Sequence, residues 1–197
     1  MNLFKKFLIF FLIFNFNLSV VFSIEPDIFV QSTVNRASAI LSKNITKEEK
    51  IDQLKSIAKE TVDIKGVGFY SLGLARKSLN DDQKNQYSKL FEDYFLKSFA
   101  SRLAEYTNPE IEVKSKKVLS ENYTVVNSVL IATPERPEVK IDWRIYTKNS
   151  NDPLIRDLIS EGLSLARTQK EEFSSILNSN GGDINALFKT LEDFSKN

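Results

Sequence analysis

The chain has 197 residues, with 27 lysines and arginines against 26 aspartates and glutamates, for a formal net charge of +1. This near-neutral charge argues against a broad electrostatic surface for nucleic acid. Because the chain contains neither cysteine nor histidine, its composition excludes disulfides, thiolate nucleophiles, Cys/His zinc sites, lipid attachment to an N-terminal cysteine and every catalytic triad that uses imidazole.

Residues 1–23 have the pattern of a secretory signal peptide. Two lysines and no acid precede an apolar run from Phe7 to Phe14, and Val21-Phe22-Ser23 roughly fits the small-residue rule at a cleavage site. An uncleaved membrane anchor is the alternative, but two asparagines interrupt the apolar stretch, which is short for a membrane span. We expect cleavage after Ser23 and one exported domain over residues 24–197.

The first half of this domain has the 3.6-residue periodicity of helices. Pro26 begins a helix predicted to run to about residue 42, and the capping box at Thr46–Glu49 begins a second. The segment from Asp63 to Leu79 also has a helical pattern, although it contains three glycines. Asn80 to Gln83 then cap a long helix that is predicted to end near residue 106, with a broad aromatic face.

The second half changes to a period of two, which indicates strands. Apolar and polar side chains alternate over 111–113, 123–131 and 139–146, and residues 154–161 are predicted as a last strand that Gly162 ends. Two helices, over 164–179 and 183–194, complete the chain. Helices segregated from an antiparallel sheet with one solvated face give an α+β fold.

Two patterns that could carry catalysis also have structural interpretations. Gly162-Leu163-Ser164-Leu165-Ala166 partly resembles a nucleophile elbow, but no histidine exists to deprotonate Ser164, so we expect a strand end and a helix cap instead. Asp157 and Glu161 could act as an acid–base pair. Asp157, next to an apolar sheet, more simply accepts hydrogen bonds from the backbone or from an arginine. An exported α+β enzyme that uses Asp157 or Glu161 on a small apolar substrate is therefore the alternative hypothesis.

The stretch from Val62 to Leu74 is unusual because its three glycines lie in a helical pattern. Each glycine in a helix costs about 1 kcal/mol relative to alanine. Close helix packing could compensate for this cost. So could the close approach of a bulky apolar ligand, or room for the helix to shift, and the residues alone leave these possibilities open.

Three segments occur in a distinctive order: Gly68-Phe69-Tyr70-Ser71-Leu72-Gly73 followed by Leu79-Asn80-Asp81-Asp82-Gln83, the aromatic helix from Phe91 to Tyr106, and Val139–Arg144 followed by Asp157–Leu165. Together with the signal peptide and the ending Gly-Gly-Asp-Ile-Asn-Ala-Leu, this order resembles the MlaC family of periplasmic phospholipid-binding (toluene-tolerance) proteins over nearly the whole mature chain. One departure is Asp152-Pro153, where family members commonly have a tryptophan.

The resemblance implies helices wrapped around a twisted antiparallel sheet, with an internal apolar cavity that takes acyl chains and leaves the headgroup near solvent. It implies a periplasmic lipid carrier with phospholipid as cargo, no cofactor, no metal and no catalysis. The implied partners are an inner-membrane ABC transporter complex with its MCE-domain subunit, and an outer-membrane lipoprotein–porin complex. An adaptor that contacts these complexes without a ligand is a further alternative.

The predicted lining of this cavity is aliphatic and aromatic. An ordinary core, in which the same side chains fill one another's space, is the alternative. The residues predicted to contact lipid are Val67, Tyr70, Leu74, Tyr94, Phe95, Phe99, Val129, Ile131, Ile141, Trp143, Ile145, Leu158, Leu163 and Leu165.

Overall fold

The computed structural model describes residues 23–196, so the predicted signal peptide lies, apart from Ser23, outside the described residues. Within this range the chain has the predicted α+β fold, with six α-helices and a five-stranded antiparallel sheet in the order β1-β2-β3-β4-β5. The helices are α1 (Pro26–Leu41), α2 (Lys47–Thr61), α3 (Ile64–Ser71), α4 (Asp81–Leu103), α5 (Leu165–Ser179) and α6 (Ile184–Lys196). The strands are β1 (Ile111–Ser120), β2 (Tyr123–Leu130), β3 (Val139–Tyr146), β4 (Leu154–Ser160) and β5 (Leu163–Ser164). None of these helices is long and apolar enough to cross a bilayer.

The starts of α2 and α4 are capped at the predicted residues, and both caps are capping boxes. The Thr46 Oγ1 accepts a hydrogen bond from the Glu49 N–H at 3.2 Å, and Glu49 Oε2 accepts from the Thr46 N–H at 2.9 Å. Asn80 and Gln83 make the same reciprocal pair at 2.8 and 3.0 Å. Each pair satisfies two backbone N–H groups that the first helical turn leaves without partners.

The predicted helix over 63–79 is wrong in its second half. The α-helix ends at Ser71, and a short 3₁₀ helix follows over Gly73–Lys77. Gly73 has a φ of +57°, a left-handed conformation that suits glycine and interrupts an α-helix.

Gly68 lies where α3 packs closely on α4. A Cβ atom at this position would be only 2.7 Å from Cδ1 of the buried Phe91 ring. The Tyr87 hydroxyl also donates a hydrogen bond to the Gly68 carbonyl oxygen at 2.8 Å. Close helix packing therefore accounts for this glycine.

Replacing Gly68 by alanine should lower the free energy of unfolding by up to about 2 kcal/mol. The added methyl group overpacks the contact with Phe91 at a cost of about 1–3 kcal/mol, which exceeds the gain of about 1 kcal/mol from alanine in a helix. Urea denaturation measures the change. Lys65→Ala, at an exposed position on the same helix, is the control and should change stability by less than about 0.5 kcal/mol. Equal stabilities for the two variants would contradict the close packing.

The pairing of β2 with β3 determines which face of the sheet lies inward. Val126 is opposite Trp143 and Thr124 is opposite Ile145, and all four side chains are buried. The alternate residues of β2, including Val129 opposite Lys140, are only half-buried on the other face. The prediction that Val129 points inward is therefore wrong.

A two-residue turn separates β4 from a strand that the sequence did not predict. Glu161 and Gly162 have φ values of +48° and +83°, which is typical of a tight hairpin turn. β5 then pairs Ser164 with Ile159 and Leu163 with Ser160. This hairpin places the start of α5 directly beside β4.

Candidate functional site

A cavity of about 150 Å³ lies between the sheet and the helices α4 and α5. One face of α4 and the first two turns of α5 form most of its wall, and α3, β3, β4 and the junction between α2 and α3 supply the remainder. From α4 come Phe91, Tyr94, Phe95, Ser98, Phe99 and Arg102, and from α5 come Leu165, Ala166, Thr168, Gln169 and Glu172. The other lining residues are Val62, Val67, Trp143, Ile155, Arg156, Asp157 and Leu158.

The α4 wall is a continuous row of aromatic rings. The Phe95 and Phe99 rings stack with centroids 5.4 Å apart, and Phe91 stacks on Phe95 at 6.0 Å. These residues are four apart in sequence, so they follow one another along one helix face. Such a wall binds apolar groups without directional hydrogen bonds, and it is therefore suited to a flexible hydrocarbon.

Asp157 holds the start of α5 against the sheet. Its buried carboxylate accepts hydrogen bonds from the Ala166 N–H at 3.0 Å and the Ser164 hydroxyl at 2.7 Å, and Arg144 Nη1 lies 3.9 Å away. Ser164 Oγ in turn accepts from the Arg167 N–H at 3.0 Å. The structural interpretation of Ser164 as a helix cap and of Asp157 as a hydrogen-bond acceptor is confirmed.

Arg156 connects α3 to the sheet at the side of the cavity. Its Nε donates to Asp63 Oδ2 at 2.6 Å and its Nη1 donates to the Tyr123 hydroxyl at 2.5 Å. Its guanidinium lies 3.6 Å from the centre of the Tyr146 ring. Asp63 also caps α3 by accepting from the Gly66 N–H at 2.9 Å. The Arg156 charge is therefore fully engaged within the fold.

The two helical walls meet at one end of the cavity. The Tyr94 hydroxyl donates to Gln169 Oε1 at 2.9 Å, and Phe91 contacts Phe173 edge to face at 6.1 Å. Burial raises the pKa of the Tyr94 hydroxyl above its ordinary value, so the group stays protonated and acts as a donor. Gln169 Nε2 donates onward to Glu172 Oε2 at 3.0 Å.

Half of the residues predicted to contact lipid lie on the cavity wall. These are Val67, Tyr94, Phe95, Phe99, Trp143, Leu158 and Leu165. Their contact with a lipid stays a prediction. Ile141 and Ile145 are buried in the core beside Trp143 without reaching the lining.

The remaining predicted lining residues lie elsewhere. Tyr70, Leu74 and Leu163 are on the surface, with exposed fractions of 42%, 79% and 61%. Leu74 follows the Gly73 break, so it does not continue the face of α3. Val129 lies on the outer face of β2, and Ile131 comes after that strand has ended.

Tyr70 borders a second, wider depression of about 740 Å³ between α3 and α5. Charged and hydroxyl side chains line most of it, and the Lys170 ammonium lies 5.4 Å from the centre of the Tyr70 ring. Although this depression is larger, it is open and polar, whereas a site for hydrocarbon must exclude water. We therefore assign the candidate site to the smaller apolar cavity.

Several lining residues were absent from the predicted set. Phe91 precedes Phe95 by four residues, and Thr168 follows Leu165 by three, so helical spacing would have found both. Arg102, Arg156 and Gln169 are polar. The apolar pattern from which the lining was predicted therefore could not identify them.

Comparison with known proteins agrees with this fold. The intermembrane phospholipid transport system binding protein MlaC of Haemophilus influenzae is 23% identical in an alignment of 167 residues, and this alignment covers 81% of this chain and 78% of that protein. A phospholipid-binding protein from Ralstonia solanacearum, solved in complex with a phospholipid, superposes with a TM-score of 0.75 at 18% identity, covering 88% of this chain and 98% of that one. Because the family model of the MlaC protein matches residues 31–193, the chain belongs to the MlaC family, as its motifs predicted.

Proposed function

We propose that this protein is a periplasmic carrier that moves phospholipid between the outer and inner membranes and holds the acyl chains in the cavity between α4, α5 and the sheet. The observation that carries the proposal is the wall of aromatic and aliphatic side chains, which is open to solvent where Leu165 is 41% exposed. The two relatives compared above are named for phospholipid transport or phospholipid binding, which supports this cargo.

The free energy of exposing lipid tails explains why a carrier is needed. Each methylene group moved into water costs about 0.8 kcal/mol, so two chains of about fifteen methylenes cost roughly 24 kcal/mol. Free diffusion of a phospholipid through an aqueous compartment is therefore negligible. The carrier must cover most of the tails, and a non-directional apolar wall can do so and still release them to a partner.

The volume of the cavity indicates that loading is accompanied by widening. A cavity of about 150 Å³ holds a ligand about the size of one benzene ring, which is smaller than an acyl chain. The walls meet through the Tyr94–Gln169 hydrogen bond and the Phe91–Phe173 ring contact. Aromatic pairs contribute only about 0.5–1.5 kcal/mol each, so burial of a chain readily compensates for their separation.

The hydrogen bonds of the two candidate carboxylates favour a carrier over an enzyme. Asp157 is engaged by the Ala166 N–H and the Ser164 hydroxyl. Glu161 is exposed at the β4–β5 turn, where its Oε1 accepts from the Lys140 N–H at 2.5 Å. Both side chains therefore have structural partners, and we propose that the protein carries out no catalysis.

The proposed partners are an inner-membrane ABC transporter complex with an MCE-domain subunit and an outer-membrane lipoprotein–porin complex. The phospholipid transport system in the name of the Haemophilus relative supports partners of this kind. The signal-peptide pattern of residues 1–23 supports export to the periplasm, where both partners could be reached. Since the sequence has no Gly-x-x-x-x-Gly-Lys loop, we assign any energy input for transfer to a partner.

A pair of leucine variants tests the proposal. Leu165 lines the cavity, whereas Leu163, two residues earlier and also exposed, does not. After incubation with phospholipid vesicles and re-isolation, Leu165→Glu should retain about fivefold less lipid phosphorus per protein, because a carboxylate next to hydrocarbon is poorly solvated. Glutamate is tolerated in the first turn of a helix, so this variant should fold.

Leu163→Glu is the matched control and should retain lipid like the unmodified protein. Equal lipid retention by the two variants would count against the cavity as the binding site. Absence of lipid from the unmodified protein under the same conditions would contradict the carrier function itself.

A further inference from the structure

We infer that Arg102 binds the phosphate group of the cargo at the mouth of the cavity, an inference that rests on the proposed carrier function. Among residues 23–196, two arginines line the cavity, Arg102 and Arg156. Arg156 is committed to Asp63, Tyr123 and Tyr146. Arg102 makes no side-chain hydrogen bond or ion pair with any residue in this range, so its donors are available to a ligand.

The position of Arg102 is where a headgroup would lie. It is exposed and belongs to the last turn of α4, on the same face as Tyr94 and Phe99. At 1.5 Å per residue, its backbone lies about 12 Å along the helix from that of Tyr94, at which the two walls meet. A lipid whose tails contact the row of rings would therefore place its polar end beside this guanidinium.

The acidic groups of the cavity do not form an ion pair with Arg102 in the described chain. Asp157 is held by the start of α5 and faces Arg144, and Glu172 accepts a hydrogen bond from Gln169. Glu105, close to Arg102 in sequence, forms an ion pair with Lys47. None of these carboxylates lies within 4.0 Å of the Arg102 guanidinium nitrogens in the described chain.

The chemistry of a guanidinium matches a phosphodiester. Its planar array of N–H donors binds two phosphate oxygens at once, in charge-assisted hydrogen bonds. The C-terminal end of α4 also favours a cation over an anion, because the backbone dipole is negative there. A phosphate at this mouth is therefore recognised by the Arg102 side chain and not by the helix backbone.

The experiment compares ligands with and without phosphate. Binding of phosphatidylglycerol, of diacylglycerol with the same acyl chains, and of inorganic phosphate is measured for the unmodified protein and for Arg102→Gln, Arg102→Lys and Arg167→Gln. Arg102→Gln should weaken phosphatidylglycerol binding about tenfold, which is the loss expected when a partly exposed charge-assisted hydrogen bond is removed. It should leave diacylglycerol binding unchanged. Arg102→Lys should recover part of the loss.

Arg167→Gln is the matched control, since Arg167 is an exposed arginine on α5 that does not line the cavity. It should leave the binding of both lipids unchanged. An equal loss of both lipids in Arg102→Gln would overturn the inference, because Arg102 would then only shape the cavity. An unchanged preference for the phosphate-bearing lipid would overturn it as well.

Three further outcomes separate this inference from the proposed function. Saturable binding of inorganic phosphate that depends on Arg102, with no preference between the two lipids, would assign the site to free phosphate and overturn the headgroup assignment. Failure of the unmodified protein to bind either lipid would overturn the carrier function together with this inference. Binding of diacylglycerol with no effect of Arg102→Gln on either lipid would overturn the inference alone.

Discussion

Ser98→Phe is expected to lower phospholipid retention strongly without unfolding the protein. Ser98 lies half-buried on α4 and lines the cavity. A benzyl group at this position would occupy a cavity of about 150 Å³, since a space of that size is filled by one benzene ring. We expect retained lipid phosphorus per protein to fall about tenfold or more, because the tails lose both the volume and the wall that they contact.

Ser88→Phe provides the matched control for this substitution. Ser88 is also a half-buried serine on α4, but it is outside the cavity lining. Lipid retention by Ser88→Phe should equal that of the unmodified protein, and thermal denaturation should show a cooperative transition for both variants. If Ser98→Phe retained lipid at the unmodified level, the tails would have to bind outside this cavity.

Asp157→Ala is expected to lower the free energy of unfolding by about 3 kcal/mol. The substitution removes a buried acceptor for the Ala166 N–H and the Ser164 hydroxyl and leaves Arg144 without its carboxylate partner. Loss of a helix cap costs about 0.5–2 kcal/mol, and a hydrogen bond to a charged group contributes about 1.5–3 kcal/mol. The two contributions overlap because they involve the same carboxylate.

Urea denaturation of Asp157→Ala and of Asp152→Ala measures this effect. Asp152 is an exposed residue just before β4, and its substitution should change stability by less than about 0.5 kcal/mol. A loss of similar size in the two variants would show that Asp157 does not anchor α5. Retention of full stability by Asp157→Ala would indicate that this carboxylate has a role other than stabilising the fold.

The sequence predicted those features that depend on neighbouring residues. The capping boxes at Thr46 and Asn80 and the cap at Ser164 are made by side chains that bond to backbone groups three residues away. The aromatic face of α4 follows from the spacing of Phe91, Phe95 and Phe99 in the same way. Local hydrogen bonds and helical spacing can therefore be recognised without knowledge of the remaining fold.

The predictions were wrong where the position of a residue depends on contacts with residues that are distant in sequence. Both faces of β2 contain valines, so alternation alone could not show that Val126, opposite Trp143, points inward while Val129 does not. The break at Gly73 turned Leu74 out of the face that the helical pattern had predicted. The position of Arg102 on the cavity wall depends on where α5 packs, which the residues around Arg102 do not encode.

The occupied cavity can be observed directly through its own fluorophore. The chain contains one tryptophan, Trp143, which lines the cavity and donates from Nε1 to Ser128 Oγ at 2.8 Å. Because bromine quenches indole fluorescence only at close range, the protein should be loaded with phospholipid brominated along its acyl chains and compared with protein loaded with the unbrominated lipid. We predict strong quenching of Trp143 by the brominated lipid alone. Unquenched fluorescence, in protein that chemical analysis shows to carry the brominated lipid, would contradict the account.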